Sequence, residues 1–434
     1  MKPPLRLAAG LALALALDTH ALATPAAAAP TDAEQWITSW YAAPQPGWGS
    51  DFPLPMNVPA SLDRQTLRET LMLSAGGRRV RLVFSNRYGQ TALRIGAVRV
   101  GLADGTGPGA PLRFSGNTAV SIPPGGAVTS DPLSLVAPPL TRLVIRTYLP
   151  GPTPVTSFHW GAQQTIDVAA GDATAATAAP AAFDAPRAGR IEGRLFLSAV
   201  LVAAPTGSHS VVTLGDSITD GNGSTPDRDR RWPDFLARRL APRGVAVVNA
   251  GISGARLLRD GMGQRAMARF EHDVLGQPGV SDVIVLLGIN DIGWPGSPFA
   301  PQEAPVTLGQ LAAGYTQLAA AAHARGVRMT VGTLPPFEGA LEGTPYAGHY
   351  SPAKEALRQQ LNAWIRTVGL FDAVVDFDVR LRDPAHPRRL LPAFDSGDHL
   401  HPGDAGYQAM AAAIDIAPLL GAAEPVSAGQ GAAR

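Results

Sequence analysis

Val211-Val212-Thr213-Leu214-Gly215-Asp216-Ser217-Ile218-Thr219-Asp220-Gly221 is an apolar, β-branched run that breaks off into Gly-Asp-Ser. This pattern reads as a buried parallel strand ending in a tight turn, with Ser217 at the strand's carboxyl edge. Ligands of open α/β sheets bind just outside those edges, so a serine there is placed to act as a nucleophile. Taken alone, the tripeptide is better read as an ordinary strand-to-helix turn in which Asp216 or Ser217 caps the next helix. Thr219 stands where a G-x-S-x-G elbow requires glycine, which sets that class of hydrolase aside.

Three stretches downstream give the turn its meaning. Val245-Ala246-Val247-Val248-Asn249-Ala250-Gly251-Ile252-Ser253-Gly254 is a second apolar strand ending in a glycine-containing turn. Val283-Ile284-Val285-Leu286-Leu287-Gly288-Ile289-Asn290-Asp291 is a third. Asp398-His399-Leu400-His401-Pro402-Gly403 precedes an alanine-rich helix near the end of the chain. In this order and spacing the four stretches closely resemble the SGNH (GDSL) hydrolase family, over roughly Ser208 to Leu420. The resemblance maps that family's four motif residues onto Ser217, Gly251, Asn290 and His401, with Asp398 completing an Asp-x-x-His motif. It implies a serine hydrolase on a flavodoxin-like sheet with strand order 2-1-3-4-5.

Ester hydrolysis requires a base that takes the serine proton and later returns it to the leaving alcohol. His401 is expected in that role, with Asp398 fixing its tautomer and stabilising the imidazolium. His399 lies two residues away, but the Asp-x-x-His register selects His401. Two histidines at that spacing with no further ligand pattern do not make a zinc site, and no metal or cofactor is expected. By family analogy the oxyanion of the tetrahedral intermediate is met by the backbone N–H groups of Ser217 and Gly251 and the side-chain amide of Asn290. Asp216, Asp220 and Asp291 are expected to cap helices and bond loop N–H groups.

The chain has 434 residues, with 36 Lys+Arg against 35 Asp+Glu and no cysteine. There is no basic excess to drive nucleic-acid binding, no disulfide and no thiol nucleophile. Lys2 and Arg6 followed by the apolar run Leu7–Leu17 have the form of a secretory signal peptide over residues 1–29. Cleavage is expected after Ala23 or Ala29, which leaves a secreted or periplasmic protein. No later segment has the apolar length of a membrane helix.

Residues 30–204 read as an antiparallel β-sandwich or jelly roll, built from short alternating strands separated by turn signals such as Gly76-Gly77 and Pro123-Pro124-Gly125-Gly126. Residues 167–190, rich in Ala, Pro, Thr and Gly, read as a loop or linker. Residues 205–422 alternate strands and helices, and residues 423–434 read as a disordered tail. Helices are expected over Trp232–Leu240, with Phe235, Leu236 and Leu240 facing the sheet, and over Thr307–Arg325, Pro352–Val368 and Ala405–Leu420. His159-Trp160 is expected to be partly buried packing, with a carbohydrate-contacting pair as the alternative. Loops after Asn290 and from Pro335 to Tyr350 offer Trp294 and Tyr346 either as substrate contacts or, equally, as side chains that pack the loops onto the domain.

Together these readings predict a secreted serine esterase acting on an ester substrate, through an acyl-serine intermediate. Deacetylation of a polysaccharide, or hydrolysis of another small acyl ester, is the leading expectation. Lipid or short-chain ester hydrolysis and O-acyl transfer are the alternatives. A non-catalytic surface binding protein ranks third, since it predicts a broken motif set.

Overall fold

Alternation along the first half of the chain builds two antiparallel sheets. Their main strands are β1 (Glu34–Tyr41), β2 (Gln65–Met72), β3 (Gly77–Ser85), β4 (Ala97–Leu102), β5 (Arg142–Leu149), β6 (Ser157–Ala170), β7 (Gly189–Leu195) and β8 (Leu197–Pro205). One sheet runs β1-β8-β3 and the other β7-β6-β2-β5-β4. Val80, Leu82 and Phe84 from the first meet Leu67, Leu71, Leu143 and Ile145 from the second in a shared core. The computed structural model describes residue 1, residues 33–176, Phe183 and residues 189–420. The expected cleavage sites and the C-terminal tail lie outside the described residues.

The linker expected from residue 167 starts too early. Asp167–Ala170 continue β6 and pair with Gln65–Arg68 of β2, and Arg190 belongs to β7 opposite Asp167. The Asp167 carboxylate accepts from Arg68 Nε and Nη2 at 3.0 and 2.8 Å. That pairing spans 99 residues, so local composition does not reveal it.

The second half builds a parallel sheet from β9 (Ser210–Gly215), β10 (Ala246–Gly251), β11 (Val280–Leu286), β12 (Arg328–Gly332) and β13 (Ala373–Val375). The order is β10-β9-β11-β12-β13, the 2-1-3-4-5 order that the resemblance implied. All six residues of β9 are buried, as expected of a central strand covered on both faces. The helices used below are α1 (Ser217–Asp220), α2 (Trp232–Leu240), α3 (Ile289–Gly293), α4 (Leu308–Ala324), α5 (Pro352–Thr367) and α6 (Asp404–Ala413). Thr307 and Ser351 cap α4 and α5 through their hydroxyls, accepting from Gln310 N and Lys354 N.

Two further expectations are corrected. The last helix stops at Ala413, where Ile414 turns extended at φ −76° and ψ 122°. Leu236 and Leu240 are fully buried, but Phe235 is only half-buried, with the Arg238 guanidinium 5.2 Å from its ring centroid.

From Glu34 onward the described residues form one compact unit. Thr38 N donates to Pro278 O at 2.9 Å, Ser210 Oγ to Thr38 O at 3.0 Å and Val247 N to Ser74 Oγ at 3.0 Å. The edge of the sandwich is thereby hydrogen-bonded to the start of the parallel sheet. Among the described residues, no helix is long and apolar enough to cross a membrane.

Candidate active site

Ser217 lies one residue beyond Asp216 at the end of β9, the central strand. A Cβ at Gly215 would lie 2.0 Å from Thr219 Oγ1 and 2.9 Å from Leu286 O, so only glycine lets the chain turn here. Asp216 Oδ1 accepts from Ile218 N at 3.0 Å and fixes the first turn of α1. Ser217 keeps 6% exposure.

His401 Nε2 sits 2.8 Å from Ser217 Oγ, and His401 Nδ1 sits 2.6 Å from Asp398 Oδ2. The other Asp398 oxygen accepts from the backbone N–H groups of Leu400 and His401 at 2.9 and 2.8 Å. With the carboxylate taking the Nδ1 proton, Nε2 presents its lone pair to the serine hydroxyl. Burial pushes the Asp398 carboxyl up, but the His401 ring and the two N–H donors outweigh it and hold the group well below the usual carboxylate range. His399, at φ +61°, turns away and binds Asp395 Oδ2 at 2.5 Å.

Asn290 opens α3 just past β11 and faces the same cleft. Its Nδ2 donates one proton to Ala255 O at 3.1 Å, leaving the second free of that bond. Gly251 does not join it. The Gly251 N–H donates to Asn249 Oδ1 at 2.9 Å, and a Cβ there would strike Asp220 N at 2.4 Å. Gly251 is therefore a close-packing glycine behind α1. Three residues on, Gly254 lines the cleft at φ +71°. Among the described residues its N–H has no acceptor, and neither does that of Ser217. The structure thus moves the glycine of the site from 251 to 254, a choice that turned on how Asn249 folds back.

The three flanking aspartates are structural, as expected. Asp220 accepts from Ser253 N and Oγ at 3.2 and 2.7 Å, and Asp291 from Leu257 N and Leu258 N at 2.7 and 3.0 Å. Burial pushes Asp216 up to about 7 and Asp291 up to about 6, against the pull of those N–H donors.

Trp160, Trp294 and Phe299 form the aromatic wall of the cleft. Trp294 is placed as expected. Tyr346 is not in the wall; it stacks behind Phe299 with centroids 5.3 Å apart. Trp160 comes from β6 of the sandwich; it is partly buried and packed, as expected, and it also borders the cleft, where the alternative of a carbohydrate contact stays open. Its neighbour His159 is buried and bonds Asp220 Oδ1 at 2.9 Å and Ala43 O at 2.8 Å. The signal in the sequence was the aromatic pair itself; its position beside the nucleophile turn needed the tertiary fold.

Residues 213–409 match the family of GDSL-like lipases and acylhydrolases. Solved structures similar to the chain include a G-D-S-L family lipolytic protein from Desulfitobacterium hafniense (20% identity, 47% of this chain and 96% of that one, TM-score 0.35). A GDSL-like lipase from Bacteroides thetaiotaomicron aligns at 22% identity over 49% of this chain and 87% of that one, with a TM-score of 0.35. An acetyl xylan esterase from Geobacillus stearothermophilus aligns at 24% over 47% and 92%, with a TM-score of 0.34. No curated protein matches the chain.

Proposed function

Residues 213–409 belong to the GDSL-like lipase/acylhydrolase family, which makes the chain an ester hydrolase, and we propose that it works through a Ser217–His401–Asp398 triad. The observation that carries this reading is the unbroken relay of 2.8 and 2.6 Å from the serine hydroxyl through the imidazole to the carboxylate. Ser217 Oγ attacks the ester carbonyl as His401 Nε2 takes its proton. The oxyanion is met by the Ser217 and Gly254 N–H groups and by Asn290 Nδ2. His401 returns the proton to the leaving alcohol, and water, activated by the same histidine, releases the acid from the acyl-serine.

The same reading takes the protein as exported, on the Lys2, Arg6 and Leu7–Leu17 pattern, and its substrate as a small acyl ester of a polysaccharide. The half-buried Trp160 supports this, since it borders the cleft where an indole can meet a sugar. A second reading rests on Leu54, Met262, Leu341 and Leu400, which also line the cleft and suit a longer acyl chain. O-acyl transfer uses the same residues with an alcohol in place of water.

Hydrolysis of p-nitrophenyl esters from acetate to palmitate, by wild type and Ser217→Ala, tests the proposal. The expected result is activity that peaks at acetate and falls at least about a thousandfold in the mutant. A maximum at long chains moves the reading to lipid esters. Equal rates in mutant and wild type would remove Ser217 from the chemistry.

A further inference from the structure

Outside the cleft, α2 and α6 border an open groove. Arg228, Arg230 and Arg238 line it, together with Phe235 and Asp404. Arg228 and Arg230 are exposed. Arg230 Nη1 donates to Asp404 Oδ2 at 3.1 Å. Arg238 Nη2 donates to Asp229 O at 2.7 Å, and its guanidinium lies 5.2 Å from the Phe235 ring centroid. Among the described residues, neither Arg228 nor Arg238 forms an ion pair. The groove therefore gathers three guanidinium charges against one carboxylate.

The stretch Asp227-Arg228-Asp229-Arg230 alternates in sign, and the fold sorts the two signs. Asp227 accepts from Thr165 N and Oγ1 at 2.8 and 2.9 Å, and Asp229 from Gln164 Nε2 at 2.5 Å. Both aspartates are in the left-handed region, at φ +60° and +51°, which is uncommon outside glycine. They dock the loop on β6, while Arg228 and Arg230 line the groove on its other side. Docking therefore does not account for the arginines. Like charges brought together in one groove repel one another, and an oxyanion between them relieves that repulsion.

The groove adjoins the active site. Asp404 follows His401 by three residues, which keeps their Cα atoms within about 11 Å of each other. Thr225 N and Oγ1 donate to Asp404 at 2.8 and 2.7 Å, and Asn222, earlier in the same loop, lines the cleft. The whole chain carries a net charge of only +1, so any attraction for an anionic polymer has to be local. The arginine fork matches the paired oxygens of such a group. Resting on the serine-esterase reading above, we propose that this groove binds an oxyanion, carboxylate or sulfate, carried by the substrate polymer. The protein then deacylates an acidic polysaccharide in preference to a neutral one, with the charged sugar held in the groove while a neighbouring ester enters the cleft.

Two matched pairs of polymers test this. One is acetylated polygalacturonate against the same polymer with its carboxylates methyl-esterified; the other is acetylated dextran sulfate against acetylated dextran. Acetate release is followed, and each ratio of kcat/KM is read on one enzyme sample, so the folded fraction cancels. Wild type is expected to favour the charged member of at least one pair by about three- to tenfold at low salt. The pair with the larger ratio identifies the oxyanion. The ratio is expected to fall towards one at about 0.5 M NaCl, where exposed charges are screened. Arg228→Glu is expected to bring it to one or below, mainly through a higher KM for the charged polymer, and Arg228→Lys to keep most of it. A wild-type ratio near one in both pairs, or a ratio that survives Arg228→Glu, overturns the inference and leaves the esterase reading in place. Acetate release that persists unchanged in Ser217→Ala overturns the esterase reading itself.

Discussion

Ser217 is poised by its neighbours more than by its own chemistry. Gly215 permits the turn, Asp216 caps it, and Asp398 sets the tautomer that leaves His401 Nε2 free to accept. The proposed oxyanion donors are expected to carry a separate share of the rate. Asn290→Ala removes one of three, and kcat is expected to fall by about a hundred- to a thousandfold with a smaller change in KM. Steady-state kinetics on p-nitrophenyl acetate checks this, and a loss below about threefold would take Asn290 out of the oxyanion site. Ser217, Asn290, Asp398 and His401 were legible in the sequence because each sits at a strand end or in a fixed local register. Gly251 was not distinguishable from Gly254 on the same grounds. Gly251 ends β10 and Gly254 comes three residues later, and only the fold shows that Asn249 takes the Gly251 N–H while Gly254 lines the cleft.

Strand β6 ties the two halves of the chain together at the nucleophile. His159 faces oxygen acceptors on both ring nitrogens, the Ala43 carbonyl and the Asp220 carboxylate, and the next residue forms part of the aromatic wall. Asp220 in turn holds Ser253, the neighbour of Gly254. His159→Ala should therefore lower stability by about 1–3 kcal/mol in denaturant unfolding, and reduce kcat by loosening the turn that carries Gly254. An unchanged stability would mean that water replaces the ring at no loss. Element type was legible wherever periodicity was strong, as in α2, whose bounds Trp232–Leu240 follow from its apolar spacing. Strand ends were not, because Asp167–Ala170 become strand only by pairing with β2 across the sequence. The contact of His159 with Asp220 spans 61 residues and leaves no local trace.

Buried charge runs across the molecule as a whole, and it sets how stability responds to pH. Glu69 on β2 and Arg194 on β7 lie 3.7 Å apart with both side chains buried. Arg194 continues to Gln164, Gln164 Nε2 to Asp229 Oδ1 at 2.5 Å, and Asp229 also pairs with Arg142. The network thus reaches from the sandwich into the loop before α2, where composition suggested two separate domains. Burial raises Glu69 from 4.5 to about 7, with Arg194 pulling the other way. Asp216 and Asp291 are raised by burial as well. Carboxyls of this kind hold a proton in the folded state that the unfolded chain has already released. Their contribution is full below the unfolded value and is lost as pH rises through the folded one. Calorimetry from about pH 5 to about pH 8 should therefore show one transition whose midpoint falls by several degrees as pH rises. In Glu69→Gln the fall should be shallower, because the side chain no longer titrates. Two resolved transitions would mean that the halves unfold independently. A Glu69→Gln curve as steep as that of the wild type would mean that Arg194 wins over burial and that Glu69 is already ionised in the fold.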